Sequence, residues 1–510
     1  MHQTKISILI KNTKWVYISK IFSQFFGLLA IILVIRQLDV DVFGTYNLLL
    51  SSFVVFEILA LSAVSSVFNR FIPELIANNE FNKLGRFIRG GYLFSFILFT
   101  SLVVLLYFFK EGFATFFNIN DFDKYLIAFL IFSYSNFLQI LVSVVLKALL
   151  LHKKTAIITI FGNFFRLVLY LYFAKSLEVN LLLYIETIIC LIIVIASVNV
   201  YFIFKKKLPE VKARKNVIPV TYKRVRKYGL LSMINELGIG IVGKTSDYFI
   251  VAAMANPIQV GLLAFGHRVY GIIFKILPFK DIQTIINPLF FQKYSGKYDI
   301  DEFKAMYSFI IKILLPIYVF PALYFFFFGK SLTALVFDIK YLPAYWITFI
   351  MLFSNLFLAF FFPLSLTAQL KERMDILLIS KIVVFFSIAG GIIGMKYFGI
   401  IGVVMASFIG DLLKNILILG MMRKYEEIQY NLLSYKKYLY IFISFTPFFF
   451  VQNIVLKIFP FIALTIIFFV FALLSIRIFD PFNEQEKETL DKIISSFPVK
   501  VQPFLIKIYR

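Results

Sequence analysis

The chain has 510 residues, 61% of them hydrophobic and 66 of them Phe, and a formal net charge of +24. Soluble domains are about 45–50% apolar, so a soluble globular fold is excluded. The excess of Lys and Arg reads as the loops of a membrane protein rather than a nucleic-acid surface, because base-reading motifs and zinc-ligand spacings are missing.

About fourteen apolar segments are near the ~20 residues a helix needs to cross a bilayer, and lipid leaves an open segment only the helix to satisfy its backbone. The first, roughly 15–35, is interrupted by Lys20 and runs to Arg36 without a small-residue cleavage site, so it reads as a membrane helix, not a signal peptide. Gln24 and Gly27 share the face of Lys20. Five more follow at about 46–68, 87–109, 125–146, 155–174 and 180–204. Glu57 lies inside the second, and Cys190, the single cysteine, lies in the sixth and excludes an internal disulfide.

A basic stretch, 205–228, then divides the chain; it holds ten Lys and Arg residues and reads as a solvated cytoplasmic linker resting on anionic headgroups. Six further spans are expected at about 229–254, 261–287, 305–328, 342–367, 376–395 and 399–422, and two more within 423–479, at 438–456 and 458–476. In the tail, 480–510, Asn483 and Glu486 have capping-box spacing, and Leu490, Ile493, Ile494 and Phe497 fall on one face of an amphipathic helix.

With both termini inside, 34 Lys and Arg residues fall in cytoplasmic segments and only eight in outer ones, which sets the orientation. Spans one to six (within 1–204) and seven to twelve (229–422) look alike. Gly44 and Gly261 follow spans one and seven at an offset of 217, and Lys154 and Arg373 end corresponding loops at an offset of 219. The expected architecture is therefore all-α: two parallel six-helix repeats, related by an axis along the membrane normal, plus two C-terminal helices.

Ionisable groups inside spans cost roughly 2.5–3.5 kcal/mol each at the bilayer centre on insertion scales, so they mark candidate sites. Lys20, Glu57, Glu236, Lys244, Asp247, Arg268 and Lys275 all lie on spans one, two, seven and eight, the first two helices of each repeat. Glu236, Gly240, Lys244 and Asp247 share one helical face, and so do Arg268 and Lys275. Cations outnumber anions, which fits a cavity for an anionic substrate. The bland alternative is an internal Lys244–Asp247 pair with Lys20 snorkelling to the headgroups. Arg166, Glu186, Lys312, Lys381, Asp411 and Lys414, on later spans, read as structural pairs or snorkelling groups.

Arg36-Gln37-Leu38, Phe43-Gly44-Thr45-Tyr46, Glu57 and Arg70-Phe71-Ile72-Pro73-Glu74, taken with the topology, resemble the polysaccharide-exporter family. These are the Wzx-type lipid-linked oligosaccharide flippases of the multidrug/oligosaccharidyl-lipid/polysaccharide flippase superfamily. The acidic start of the tail, Asn483-Glu484-Gln485-Glu486, is similar too. The resemblance covers the whole membrane part. It implies a bacterial inner-membrane flippase for undecaprenyl-pyrophosphate-linked oligosaccharide, with Lys20, Lys244, Arg268 and Lys275 as substrate-binding cations. Polysaccharide polymerase or chain-length proteins would be partners. No cofactor is expected. Glu57, Glu236 and Asp247 are candidates for a coupling H+ or Na+.

A cation-coupled drug antiporter of the same superfamily is the first alternative, but it would want an anionic cavity. A lipid II flippase is a second, and its arginine-rich first helix is matched here only by Lys20. A membrane enzyme is disfavoured: His2, His152 and His267 form no cluster, and no nucleophile–base spacing or nucleotide loop is present.

Overall fold

The computed structural model describes residues 21–77, 80–119, 121–149, 151–206, 220–240, 244–277, 299–422, 435–452 and 454–494, with the isolated positions 286, 290, 294, 502 and 506. The described residues form helices and turns, with no strand among them. Ten helical segments among them are long and apolar enough to cross a membrane. The chain is thus a polytopic α-helical membrane protein. It divides into two compact units, Met1–Ala264 and Phe265–Arg510.

The first unit contains α1 (Ile21–Gln37), α2 (Val40–Ala77), α3 (Phe81–Phe108), α4 (Lys110–Phe116), α5 (Phe122–Ala148), α6 (His152–Tyr172), α7 (Val179–Lys206), α8 (Tyr222–Gly240) and α9 (Lys244–Met254). It also contains the start of α10 (Pro257–Ile276). Helix α2 is its spine and packs on α3, α5, α8 and α9. Without water on either side of a span, packing quality decides association. Here aromatic rings supply it: Phe99 stacks on Phe137 at 4.3 Å, and Phe53 meets Phe99 and Phe132 edge-on. Polar side chains of α2 bond back into their own helix: Asn47 donates to the Phe43 carbonyl and Ser51 to that of Asn47.

Small residues set the closest approach. A Cβ on Gly44 would lie 2.1 Å from the Pro257 carbonyl oxygen, and one on Gly261 would lie 1.9 Å from that of Val40. The contact is reciprocal. Gly44 and Gly261, like Val40 and Pro257, are 217 positions apart, so each residue meets the counterpart of its partner. Self-complementary contacts of this kind are what a two-fold relation between like segments produces.

In the turn between α4 and α5, Asn118 adopts a left-handed φ of 51°. From there its amide donates to the Ala252 and Ala255 carbonyls, satisfying acceptors that the end of α9 leaves open.

The second unit holds the rest of α10, α11 (Ile300–Leu332), α12 (Tyr345–Ser354), α13 (Leu356–Leu370), α14 (Met374–Ile379), α15 (Val383–Met422), α16 (Lys436–Ser444), α17 (Ile458–Phe479) and α18 (Glu484–Ile494). Asp299 caps α11 by accepting from the amides of Asp301 and Glu302. A phenylalanine cluster joins α11, the segment just after α16, and α17, with Phe468 within 6 Å of Phe328, Phe445 and Phe448. Two of the expected spans fall in one segment, α15, which reverses at Gly399 (φ 60°, ψ −147°). Its two arms touch through small residues, because a Cβ on Gly394 or Gly402 would strike the other's backbone at 2.6 or 2.1 Å.

Several expected spans are shorter or divided among the described residues. Span one is described from Ile21. Span seven appears as α8 and α9 and begins at Tyr222, inside the stretch read as linker. Span thirteen is α16 followed by a 3-10 turn, Thr446–Val451, started by Pro447, which has no backbone donor to continue the α pattern.

Candidate functional site

Of the seven singled-out residues, Lys20 lies outside the described residues. Glu57, Glu236, Lys244 and Asp247 belong to the first unit, on α2, α8 and α9. Both α8 and α9 pack on α2, so these four stand on α2 and two helices packed against it. Glu57 sits near the middle of the 38-residue α2 and is half-buried. No hydrogen bond or ion pair reaches its carboxylate among the described residues. Asp247 is buried in the first turn of α9, where the helix dipole favours an anion. Lys244, one turn before it, is exposed, with its ammonium 5.9 Å from the Tyr248 ring centre. Residues 241–243 lie outside the described residues, so the common face expected to join Glu236 to Lys244 is described only in its two ends.

Arg268 and Lys275 belong to the second unit, on α10. Arg268 is half-buried and Lys275 exposed. Seven residues apart on an unbroken helix, they lie about 10 Å from one another along one face.

Two polar assemblies were not legible from spacing. The first is a network on α6 and α7 reaching α1. The Arg166 guanidinium pairs with Glu186: Nη2 donates to Oε2 at 2.9 Å, and Nε lies 2.8 Å from Oε1 without hydrogen-bond geometry. Tyr170 donates to the same carboxylate at 2.5 Å. Asn163 accepts from Arg166 and donates to Ser23. Arg166 and Glu186 are therefore a structural ion pair, as their place on later spans suggested, although the buried Nε of Arg166 makes no hydrogen bond. The (i, i+3) spacing of Asn163 and Arg166 was visible; the partner on the next helix was not.

The second explains the Arg70-Phe71-Ile72-Pro73-Glu74 motif. Arg224 forks onto Glu74, at 2.6 Å and 3.2 Å, and lies over the Phe71 ring at 5.2 Å. Tyr228 meets Phe71 edge-on and Gly229 sits against Val67. The last residues of the basic stretch thus form the first turns of α8 and clamp it to α2. Arginine suits this position because its planar fork can pair a carboxylate and stack on a ring together.

In the second unit the tail helix is tied down, not merely laid on a surface. Asn483 and Glu486 form the expected capping box, amide to side chain at 2.8 Å in both directions. Glu486 also takes the Lys312 ammonium at 2.9 Å on both oxygens, with both side chains buried. Tyr438 donates to the Lys312 carbonyl, and Phe482 packs against Phe309.

No protein-family model and no curated protein matches the sequence. Solved structures do resemble it. The structure titled lipid II flippase MurJ, inward closed conformation, matches with a TM-score of 0.64 at 15% identity, over 92% of this chain and 98% of that one. An inward-facing multidrug resistance MATE family transporter of the MOP superfamily matches with a TM-score of 0.61 at 14% identity, over 78% and 94%. An outward-facing form of such a transporter gives 0.51 at 15% identity, over 81% and 95%. At these identities the likeness is one of fold: this chain has the fold of membrane transporters.

Proposed function

We propose that this protein is a flippase of the bacterial inner membrane, with both termini cytoplasmic, that turns a polyprenyl-pyrophosphate-linked oligosaccharide from the inner to the outer leaflet. The observation that carries the reading is coverage: the likeness to a lipid-linked-substrate flippase runs through 92% of the chain, against 78% for the drug transporter. The cationic surplus among Lys20, Lys244, Arg268 and Lys275 supports an anionic headgroup over a cationic drug. Arg268 offers a bidentate fork to phosphate oxygens, and Lys275 a mobile point charge about 10 Å further along the same helix. The polyprenyl tail stays in lipid while the headgroup moves, and rocking of repeated halves would supply alternating access. Glu57, Glu236 and Asp247 are the groups that would take a coupling H+ or Na+; among the described residues no hydrogen bond or ion pair reaches the Glu57 carboxylate.

The test is a reconstituted assay in which lipid-linked oligosaccharide and lipid II are offered separately, with Arg268→Ala, Lys275→Ala and, as a surface control, Lys396→Ala. Losing one contact to a charged group costs about 1.5–3 kcal/mol, about a 10- to 100-fold loss of affinity at ~1.4 kcal/mol per decade. Arg268→Ala and Lys275→Ala should show it and Lys396→Ala should not. Transport of neither lipid, or full transport by both the Arg268 and Lys275 variants at normal protein level, refutes the assignment; preference for lipid II over the oligosaccharide reassigns the substrate.

A further inference from the structure

We infer that the second unit carries a binding pocket for a phosphate-bearing lipid headgroup, formed where α13, α14 and α15 meet and centred on Lys381 and Lys414. It is independent of the flippase reading, because it uses none of the candidate cations of that site.

The pocket has a volume of about 340 Å³, within the ~300–1,000 Å³ of small-molecule sites. Its polar lining is Ser365, Ser380, Lys381, Lys414 and Asn415; Phe361 and other apolar side chains complete it. That composition, an apolar wall with a few convergent polar groups, is what orients an amphiphile. The hydroxyls of Ser365 and Ser380 donate to Phe362 and Leu377 carbonyls, and the Asn415 amide to that of Asp411. Their remaining lone pairs are acceptors, so the positive charge in the pocket lining comes from the two ammonium groups. Lys414 pairs with Asp411, whose side chain is 63% exposed. A phosphate entering the pocket competes with a solvated carboxylate, an exchange that costs little.

The backbone gives a second, independent sign. Span eleven is not one helix. It changes from α14 to a 3-10 turn at Ser380–Ile382 before α15 begins at Val383. Irregular backbone at membrane depth is tolerated where it is buried in protein or lines a cavity, and interrupted helices mark binding sites in transporters. Here the interruption contributes Ser380 and Lys381 directly to the wall.

Depth agrees with a headgroup. Lys381 is seven residues from Met374 and Lys414 eight from Met422, roughly 10–12 Å from the ends of their helices. By the Lys and Arg distribution both ends face the cytoplasm. Leu378, Ile382 and Leu413, beside the lining residues, are exposed apolar side chains, so acyl or polyprenyl chains have an apolar surface at the rim. The shared chemistry is a phosphate ester on a lipid. Its source is either an anionic phospholipid of the membrane or a polyprenyl pyrophosphate.

The test is native mass spectrometry of the full chain in detergent, titrated in parallel with phosphatidylglycerol, undecaprenyl pyrophosphate, inorganic pyrophosphate and phosphatidylcholine. The variants are K381Q, K414Q, the double variant K381Q/K414Q and the charge-retaining K381R/K414R. Elution profile and thermal melting check folding. The expected result is retention of at least one of the two anionic lipids, lowered at least about tenfold in the double variant, kept in the arginine variant, and with phosphatidylcholine unchanged throughout. Preference for phosphatidylglycerol identifies a resident lipid site, and preference for undecaprenyl pyrophosphate a station for the transported headgroup. Equal retention by folded wild type and double variant overturns the inference. So does binding of inorganic pyrophosphate without either lipid.

Discussion

The Arg166–Glu186 pair of the first unit, 24% and 12% exposed, and the Lys312–Glu486 pair of the second, 9% and 7% exposed, each join a cation to a carboxylate, yet their connectivity differs. Arg166 and Glu186 are 20 residues apart on α6 and α7, both long enough to cross the membrane, so neither stands on an element that can swing away from the bundle. Lys312 and Glu486 are 174 residues apart, and Glu486 stands on a short helix that follows the last span. Burying a charge is expensive, and removing one partner leaves the other uncompensated. The expense therefore depends on whether the survivor can reach water. In the first pair neither can. In the second, Glu486 can and Lys312 cannot.

This contrast is sharpest in variants that break each pair. Arg166→Ala or Glu186→Ala should each cost about 3–5 kcal/mol, the scale for a broken buried pair, and to a similar extent. Thermal unfolding in detergent reads the loss, and an apolar double substitution should recover most of it. Equal stability of wild type and Arg166→Ala would mean the network is solvated.

The second pair should be asymmetric. Glu486→Ala strands the ammonium of Lys312 inside α11 and should lower stability by about 3 kcal/mol. Lys312→Ala frees a carboxylate that swings out with α18, so the loss is nearer 1–1.5 kcal/mol, the net worth of a hydrogen-bonded contact. Limited proteolysis after Asp480 separates the two, because the lysine variant should release the tail while leaving the bundle's melting nearly unchanged. Identical melting of both variants would show that the tail does not move.

The smallest effect concerns pH. Lys487, outside the membrane, hydrogen-bonds Asp480 and Glu484, both at 2.9 Å, and these partners hold its pKa above the ordinary lysine value. A raised folded-state pKa means the contribution is complete below the unfolded lysine pKa and is lost as pH rises through the folded one. Mobility of a spin label at Thr489→Cys should therefore increase only at strongly alkaline pH, and Lys487→Met should remove that step. A transition at neutral pH would point to another group.

Local signals in the sequence carried far. Apolar length gave the helices, the capping box at Asn483 and Glu486 formed as its three-residue spacing requires, and Gly44 and Gly261, equated by their offset, meet each other's helices in the structure. These features depend on neighbours along the chain or on a repeat, and both leave a trace in one dimension.

Partners across helices leave none. The spacing of Arg166 says nothing of Glu186, and the basic stretch reads as solvated until Glu74 and Phe71 are seen to hold Arg224. Lys381 and Lys414 look like two unrelated snorkelling lysines until the 3-10 turn at Ser380 brings them to one pocket. The sequence by itself determined that this chain lives in a membrane, that its spans are helices and that its charge within them is mainly cationic, because the bilayer forbids the alternatives. Which charge neutralises which was left to the tertiary structure, because at membrane depth that depends on helix rotation and on approach distances that small residues such as Gly394 and Gly402 allow.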